Sequence, residues 1–246
     1  MKNLSNKVAL VVGASGGIGS AIVGRLCGEG MKVVMSARNR ERLEKTAESL
    51  KLAAGSYAIL PADGSSFYHV EKLFKDIKKR FKRLDLVIIS SGGYESLGLE
   101  ATLKEASGTF QKLVGTNLVA AFHISYAAAA IMKKQGRGLI KGRGIIINIS
   151  SHAATKVLHS GLAYGPTKAA ARSLMLHLAK ELAPHGVRVY DIQPSTVNTP
   201  EMSRFIPEGK RDLAVQPEEI AEKVVYLATH DVKEVNQPVI GKLPDF

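Results

Sequence analysis

Val8-Ala9-Leu10-Val11-Val12-Gly13-Ala14-Ser15-Gly16-Gly17-Ile18-Gly19 is the stretch that decides the fold of this chain. An apolar run rich in valine reads as a buried strand. It ends in glycines and leads into Ala21-Ile22-Val23-Gly24-Arg25-Leu26, whose apolar residues recur with helical spacing. Strand, glycine turn and helix in that order form the context of a dinucleotide-binding turn. The glycines let the backbone approach a pyrophosphate, and the helix N-terminus offers it a partial positive charge. The spacing is Gly-x-x-x-Gly-x-Gly rather than Gly-x-Gly-x-x-Gly.

Working outward, similar apolar runs recur at Lys32–Ser36, Tyr57–Leu60, Leu84–Ser90, Gly144–Ile149, Val187–Ile192 and, more weakly, Pro238–Ile240. Helix-like stretches separate them. This alternation predicts one α/β domain over residues 1–246, with a doubly wound parallel sheet covered on both faces. The longest helical pattern, Thr109–Lys134, carries Phe110, Leu113, Val114, Leu118, Phe122 and the run Ala127–Ala130. Its small residues suit close packing against another helix, including one from a second subunit. Gln135–Gly144, with Arg137, Lys141 and Arg143, reads as an exposed basic excursion.

A second motif lies further along, in Ala163-Tyr164-Gly165-Pro166-Thr167-Lys168, with Ser151 thirteen residues before the tyrosine. Residues four apart share one helix face, so Lys168 is expected beside Tyr164. A free phenol has a pKa of about 10. A fixed cation favours the phenolate and would make the tyrosine a usable acid/base.

Together the two motifs resemble the short-chain dehydrogenase/reductase family, over nearly the whole chain. The resemblance implies a Rossmann fold and a catalytic set of Asn117, Ser151, Tyr164 and Lys168, with Ser151 preferred to Ser150 by its spacing to Tyr164. It implies that Gly13, Ser15, Gly17, Ile18 and Gly19 cradle the cofactor, that Asp63 meets the adenine, and that Gly92, Pro194, Val197 and Thr199 surround the nicotinamide, with Tyr164 and Lys168 also touching the cofactor. Asn117 would position a water that feeds protons to Lys168. Two places depart from the family pattern. Ser90-Ser91-Gly92-Gly93 stands where Asn-Asn-Ala-Gly is usual, and Pro194-Ser195 where Pro-Gly is usual. Serine takes positive φ less cheaply than glycine, which predicts an altered loop after Pro194.

Arg38 lies just past the second strand, where the adenosine ribose is read, and Ala37-Arg38-Asn39-Arg40 contains no acid. An arginine there accommodates the 2′-phosphate of NADP, so NADP(H) is the expected cofactor. The expected reaction interconverts a small carbonyl compound and its alcohol, with Tyr94, His152 and His159 as candidate substrate contacts and Pro200–Pro217 as the lid. The alternatives are a 3-oxoacyl-[acyl-carrier-protein] reductase and a dinucleotide-binding or redox-sensing protein without turnover.

The net charge of +12 is concentrated in two clusters, one over Lys72–Arg83 and one over Lys133–Arg143. In the first, Val70, Leu73, Phe74 and Ile77 fall on the opposite helical face, so the basic residues read as a solvated surface. No nucleic-acid signature accompanies them, and no nucleic-acid partner is expected. The seven histidines lack metal-ligand spacing, so no metal is expected. The single Cys27 reads as a structural thiol in a reducing compartment. With no leader and no apolar run of ~20 residues, the sequence predicts a cytoplasmic homodimer or homotetramer that does not engage a membrane.

Overall fold

The computed structural model describes residues 4–139, 142–159 and 161–242. Seven parallel strands form one sheet: β1 (Val8–Val12), β2 (Lys32–Ser36), β3 (Tyr57–Ile59), β4 (Leu86–Ile89), β5 (Gly144–Ile149), β6 (Val187–Pro194) and β7 (Asn236–Val239). Their order across the sheet is β3-β2-β1-β4-β5-β6-β7. Chain direction across the sheet reverses between β1 and β4, where a doubly wound sheet opens a crevice at its carboxyl ends.

β1 and β4 are apolar throughout and the other central strands largely so, because both faces are covered. Ala9, Val11, Val33 and Ile147 pack with α1 (Gly17–Gly28), α2 (Arg40–Ser49) and α7 (Pro217–Thr229). Their neighbours Leu10, Val34 and Ile146 pack on the other face with α3 (Phe67–Phe81), α5 (Ala120–Met132) and α6 (Tyr164–Leu182). Val70, Leu73, Phe74 and Ile77 of α3 are buried as its pattern predicts, while Lys72 and Lys75 pair with Asp76 and Glu71 on its outer side.

The long helix differs from its prediction in extent and in regularity. It begins at Leu103 rather than Thr109, because Thr102 caps α4 (Leu103–Leu113) in a reciprocal box with Glu105. It then passes through a π-helical stretch, Val114–Val119, before continuing as α5. The expectation about bilayer-length apolar runs is corrected here. Leu103–Met132 is long and apolar enough to cross a membrane by length and composition. Much of its apolar character has a local cause, since Ala121, Ile124, Ala128 and Met132 pack in the core beneath it.

The basic excursion after α5 is also tied down more than its composition suggests. Leu139 is 3% exposed and joins the core. Gln135 donates to the carbonyls of Leu84 and Arg143, and Gly138 N–H donates to Gly142 O. Lys141 lies outside the described residues. Cys27 is half-buried, and burial pushes its thiol pKa up.

Candidate active site

The cofactor residues expected from the sequence, other than Tyr164 and Lys168 at the start of α6, follow or end the carboxyl end of a strand, and so does the catalytic candidate Ser151. Gly13 stands after β1, Arg38 after β2, Asp63 after β3, Gly92 after β4, Ser151 after β5, and Thr199 after β6, whose last residue is Pro194. The glycine turn is as tight as its composition implies. Gly13 has φ +83°, and a Cβ there would lie 2.7 Å from the Ser90 backbone. A Cβ on Gly19 would fall 2.1 Å from Gly13 O. One on Gly17 would meet the Thr199 side chain at 2.8 Å, so the turn and the Thr199 loop converge.

Ser15 and Ile18 lie half-buried on this turn, and Val197 is buried against the core. Arg38 is exposed past β2 and interacts electrostatically with Asp63. Asp63 accepts from both the N–H and the hydroxyl of Ser65 through Oδ1, and its pKa is held below the usual range. Two buried hydroxyls at this end, Ser36 Oγ and Ser91 Oγ, have no hydrogen-bond partner. A glycine cradle that any Cβ would fill, with a cation on its rim, fits a dinucleotide.

Two of the four catalytic candidates, Asn117 and Lys168, meet at Gly92, and Tyr164 and Ser151 join through Lys168. A Cβ on Gly92 would lie 3.0 Å from Lys168 Nζ and 3.1 Å from Asn117 Oδ1. Asn117, in the π-helical stretch, is 3% exposed. Its Oδ1 accepts from Gly93 N–H at 2.8 Å, and its Nδ2 donates to Gly93 O and to Thr167 Oγ1 on α6. The side chain is therefore spent on fastening the strand end to α6. Ser151 Oγ accepts from Ala153 N–H at 3.1 Å, which leaves its own proton to donate, and it hydrogen-bonds to Tyr164.

Tyr164 and Lys168 begin α6 and lie on one face of it, with Nζ 5.7 Å from the centroid of the tyrosine ring. The electrostatics differ from the sequence expectation. Burial pushes the Tyr164 phenol up, the hydrogen bond from Ser151 opposes that, and Tyr94 adds to it. The ammonium sits over the ring, and Lys168 is not what governs the phenol in this arrangement. Lys168 is 7% exposed, and burial lowers its pKa to about 8, against an upward pull from Asp191. Its Nζ donates to Ile149 O at 3.3 Å.

A search with family models matches residues 7–210 to the short chain dehydrogenase family. The chain belongs to the short-chain dehydrogenase family. An "uncharacterized oxidoreductase" of Staphylococcus aureus strain USA300 is 34% identical over 236 residues, covering 96% of each chain. Another of that description, from Staphylococcus epidermidis, is 31% identical and covers 93% of this chain and 94% of its own. A solved short-chain type dehydrogenase/reductase from Mycobacterium ulcerans superposes with a TM-score of 0.86 at 25% identity, over 98% of this chain and 90% of that one. The crystal structure of gox2181 shares the fold, with a TM-score of 0.83 at 24% identity over 96% and 95%. The chain is thus an oxidoreductase of this family, and membership implies a nicotinamide dinucleotide cofactor.

The substrate-side candidates of this short-chain dehydrogenase are placed unequally. Tyr94 packs edge-on against the Tyr164 ring at 5.1 Å and against Phe205 of the lid at 5.6 Å. His152 is half-buried at the start of the turn after Ser151, whereas His159 is exposed. Among the described residues no cluster of His, Cys, Asp or Glu could hold a metal ion. The loop after Pro194 is fastened at its first residue. Ser195 avoids positive φ, and its Oγ accepts from Gly241 N–H at 2.9 Å. Lys242 N–H in turn donates to Leu213 O in the lid.

One residue escaped the sequence reading. Asp191 on β6 is fully buried, beneath the strand end that leads to Ser151. A lone acid in an apolar strand carries no periodic signal. The one cation in its segment, Arg188, lies three residues away and so falls on the opposite face of the strand.

Proposed function

We propose that this chain interconverts a carbonyl compound and its alcohol with NADP(H). The observation that supports the reading best is the linked set Ser151–Tyr164–Lys168, with Lys168 and Asn117 both beside Gly92, together with a glycine turn shaped for a dinucleotide. A bound nicotinamide supplies hydride to the carbonyl carbon, or accepts it in the reverse direction. Tyr164, kept neutral by burial, carries the proton that the carbonyl oxygen must gain. The Ser151 hydroxyl, with its lone pair occupied by Ala153 N–H, donates to that oxygen and holds it. Lys168 is the neighbouring group that can return a proton to Tyr164. Because the Asn117 side chain is already committed, a water feeding Lys168 falls to its main chain.

A panel of carbonyl compounds, assayed by loss of NADPH absorbance, tests this directly. Absence of turnover across the panel with tight NADPH binding would favour a binding protein instead. An acyl-carrier substrate in the panel checks the acyl-carrier alternative.

Arg38→Asp should weaken NADPH by roughly 10- to 100-fold, the cost of losing a charge-assisted contact, while affecting NADH little. Dissociation constants for both cofactors decide it, and an unchanged ratio removes Arg38 from cofactor choice. Tyr94→Ala should raise KM by about tenfold, since it removes two edge-to-face contacts, with a smaller effect on kcat. Wild-type KM values across the panel would place Tyr94 outside the substrate site. The exposed rings of Phe122 and Tyr126 on α5, stacked at 5.7 Å, are the surface we assign to a second copy of the chain. A solution mass of one chain by light scattering would count against it.

A further inference from the structure

We propose that Asp191 is a positioning residue: it supplies the counter-charge for Lys168 and anchors the strand end that carries Ser151, without touching substrate. The proposal rests on Lys168 belonging to the site described above.

The geometry is that of a carboxylate enclosed by donors. Asn148 Nδ2 donates to Asp191 Oδ1 at 2.7 Å. Ser150 Oγ donates to Oδ2 at 2.6 Å, and Gln193 Nε2 donates to Oδ2 at 3.0 Å. An ionised carboxylate only accepts, so three donors converging on one side chain match its charged form. The two amide donors, Asn148 and Gln193, cannot accept in return, and only the Ser150 hydroxyl could turn to accept a hydrogen bond. The hydrogen bonds hold the charge against burial, which pushes the Asp191 pKa up.

A buried carboxylate also needs a compensating cation. Asn148 and Asp191 are register partners on β5 and β6, and Asn148 and Ser150 flank Ile149, whose carbonyl accepts from Lys168 Nζ. The ammonium is thus bound to the one residue between the two that Asp191 pins. The other charged group in the network is Arg172, one turn further along α6. It donates to Asn236 Oδ1 at 3.0 Å, and that oxygen also accepts from Gln193 at 2.9 Å. From β5 the groups facing Asp191 are neutral, and from β7 the network receives the neutral Asn236. Lys168 is therefore the cation whose charge Asp191 meets most directly, and each carries an electrostatic effect on the other.

The test uses cofactor-free protein carrying 15Nζ-labelled lysine, with the Lys168 resonance identified by its loss in Lys168→Met. In wild type it should titrate near 8. In Asp191→Asn the midpoint should fall by roughly one pH unit, and the alkaline limb of kcat/KM should move down with it. An unchanged midpoint in folded Asp191→Asn overturns the proposal. Should that variant not fold, Ser150→Ala decides. With one donor gone, Asp191 takes up its proton at higher pH, and the Lys168 resonance should show an acid-side inflection displaced upward from wild type. No displacement overturns the proposal equally. Neither titration depends on turnover, so a chain that fails the carbonyl panel yet shows these shifts would lose its proposed function and keep the Asp191–Lys168 coupling.

Discussion

Tyr164→Phe will lower turnover by about 10²–10⁴-fold, the range typical of removing a positioned acid/base. The ring stays, so its edge-on packing with Tyr94 and the cation over its face are retained. What disappears is the proton and the partner of the Ser151 hydroxyl. NADPH affinity should therefore change little, and the whole effect should fall on kcat. Steady-state kinetics with a binding titration separate the two. A variant turning over near the wild-type rate would take Tyr164 out of the mechanism.

Gly19→Ala will damage the protein rather than the chemistry. Its methyl would have to occupy a position 2.1 Å from Gly13 O and 2.8 Å from Gly13 C, both backbone atoms of the same turn. Gly13 cannot retreat, because its own Cβ position is closed off by the Ser90 backbone. The cost belongs among the larger effects of point mutants, about 3 kcal/mol or more, with loss of cofactor binding. Gly108→Ala is the control. Gly108 lies inside α4, with nothing within 4 Å of the added methyl. It should gain up to about 1 kcal/mol from helix propensity. Chemical denaturation of both variants measures the contrast. A Gly19→Ala protein of wild-type stability and NADPH affinity would mean that the turn is not packed as described.

β1 to β6 were legible because burial on both faces leaves largely apolar runs, whereas β7 (Asn236–Val239), which opens on two amides, was legible only from Pro238 onward. The glycine turn and the Tyr164–Lys168 pair were legible because their geometry is local: one is a backbone constraint, the other a single helical turn. What was not legible depends on pairing between distant segments. Asp191 meets Asn148 and Ser150 only because β5 lies beside β6 in a particular register. Tyr94 and Phe205 meet only because segment 200–217 packs against the residues that follow β4. The start of α4 is a different case, because Thr102-Leu103-Lys104-Glu105 is a readable capping box and its signal was available. The π-helical stretch around Asn117 had no such signal. The electrostatic expectation for Tyr164 failed for a physical reason: helical spacing gives proximity but says nothing about depth, and depth dominates here.

The join between Ser195 and Gly241 matters for anyone who would redesign what this protein accepts. Ser195 opens the loop that leads to Thr199, Gly241 follows β7, and Lys242 reaches across to Leu213. A Cβ on Gly241 would strike Leu213 O at 2.8 Å and Val215 N at 2.9 Å. Segment 200–217 and the segment after β7 are thus one joint built from two distant stretches of sequence. A library that randomises Pro200–Pro217 while freezing residues 239–242 varies only half of that joint. Many of its members would fail at the frozen half, whatever their fit to a new substrate. The productive unit of diversification is both halves together.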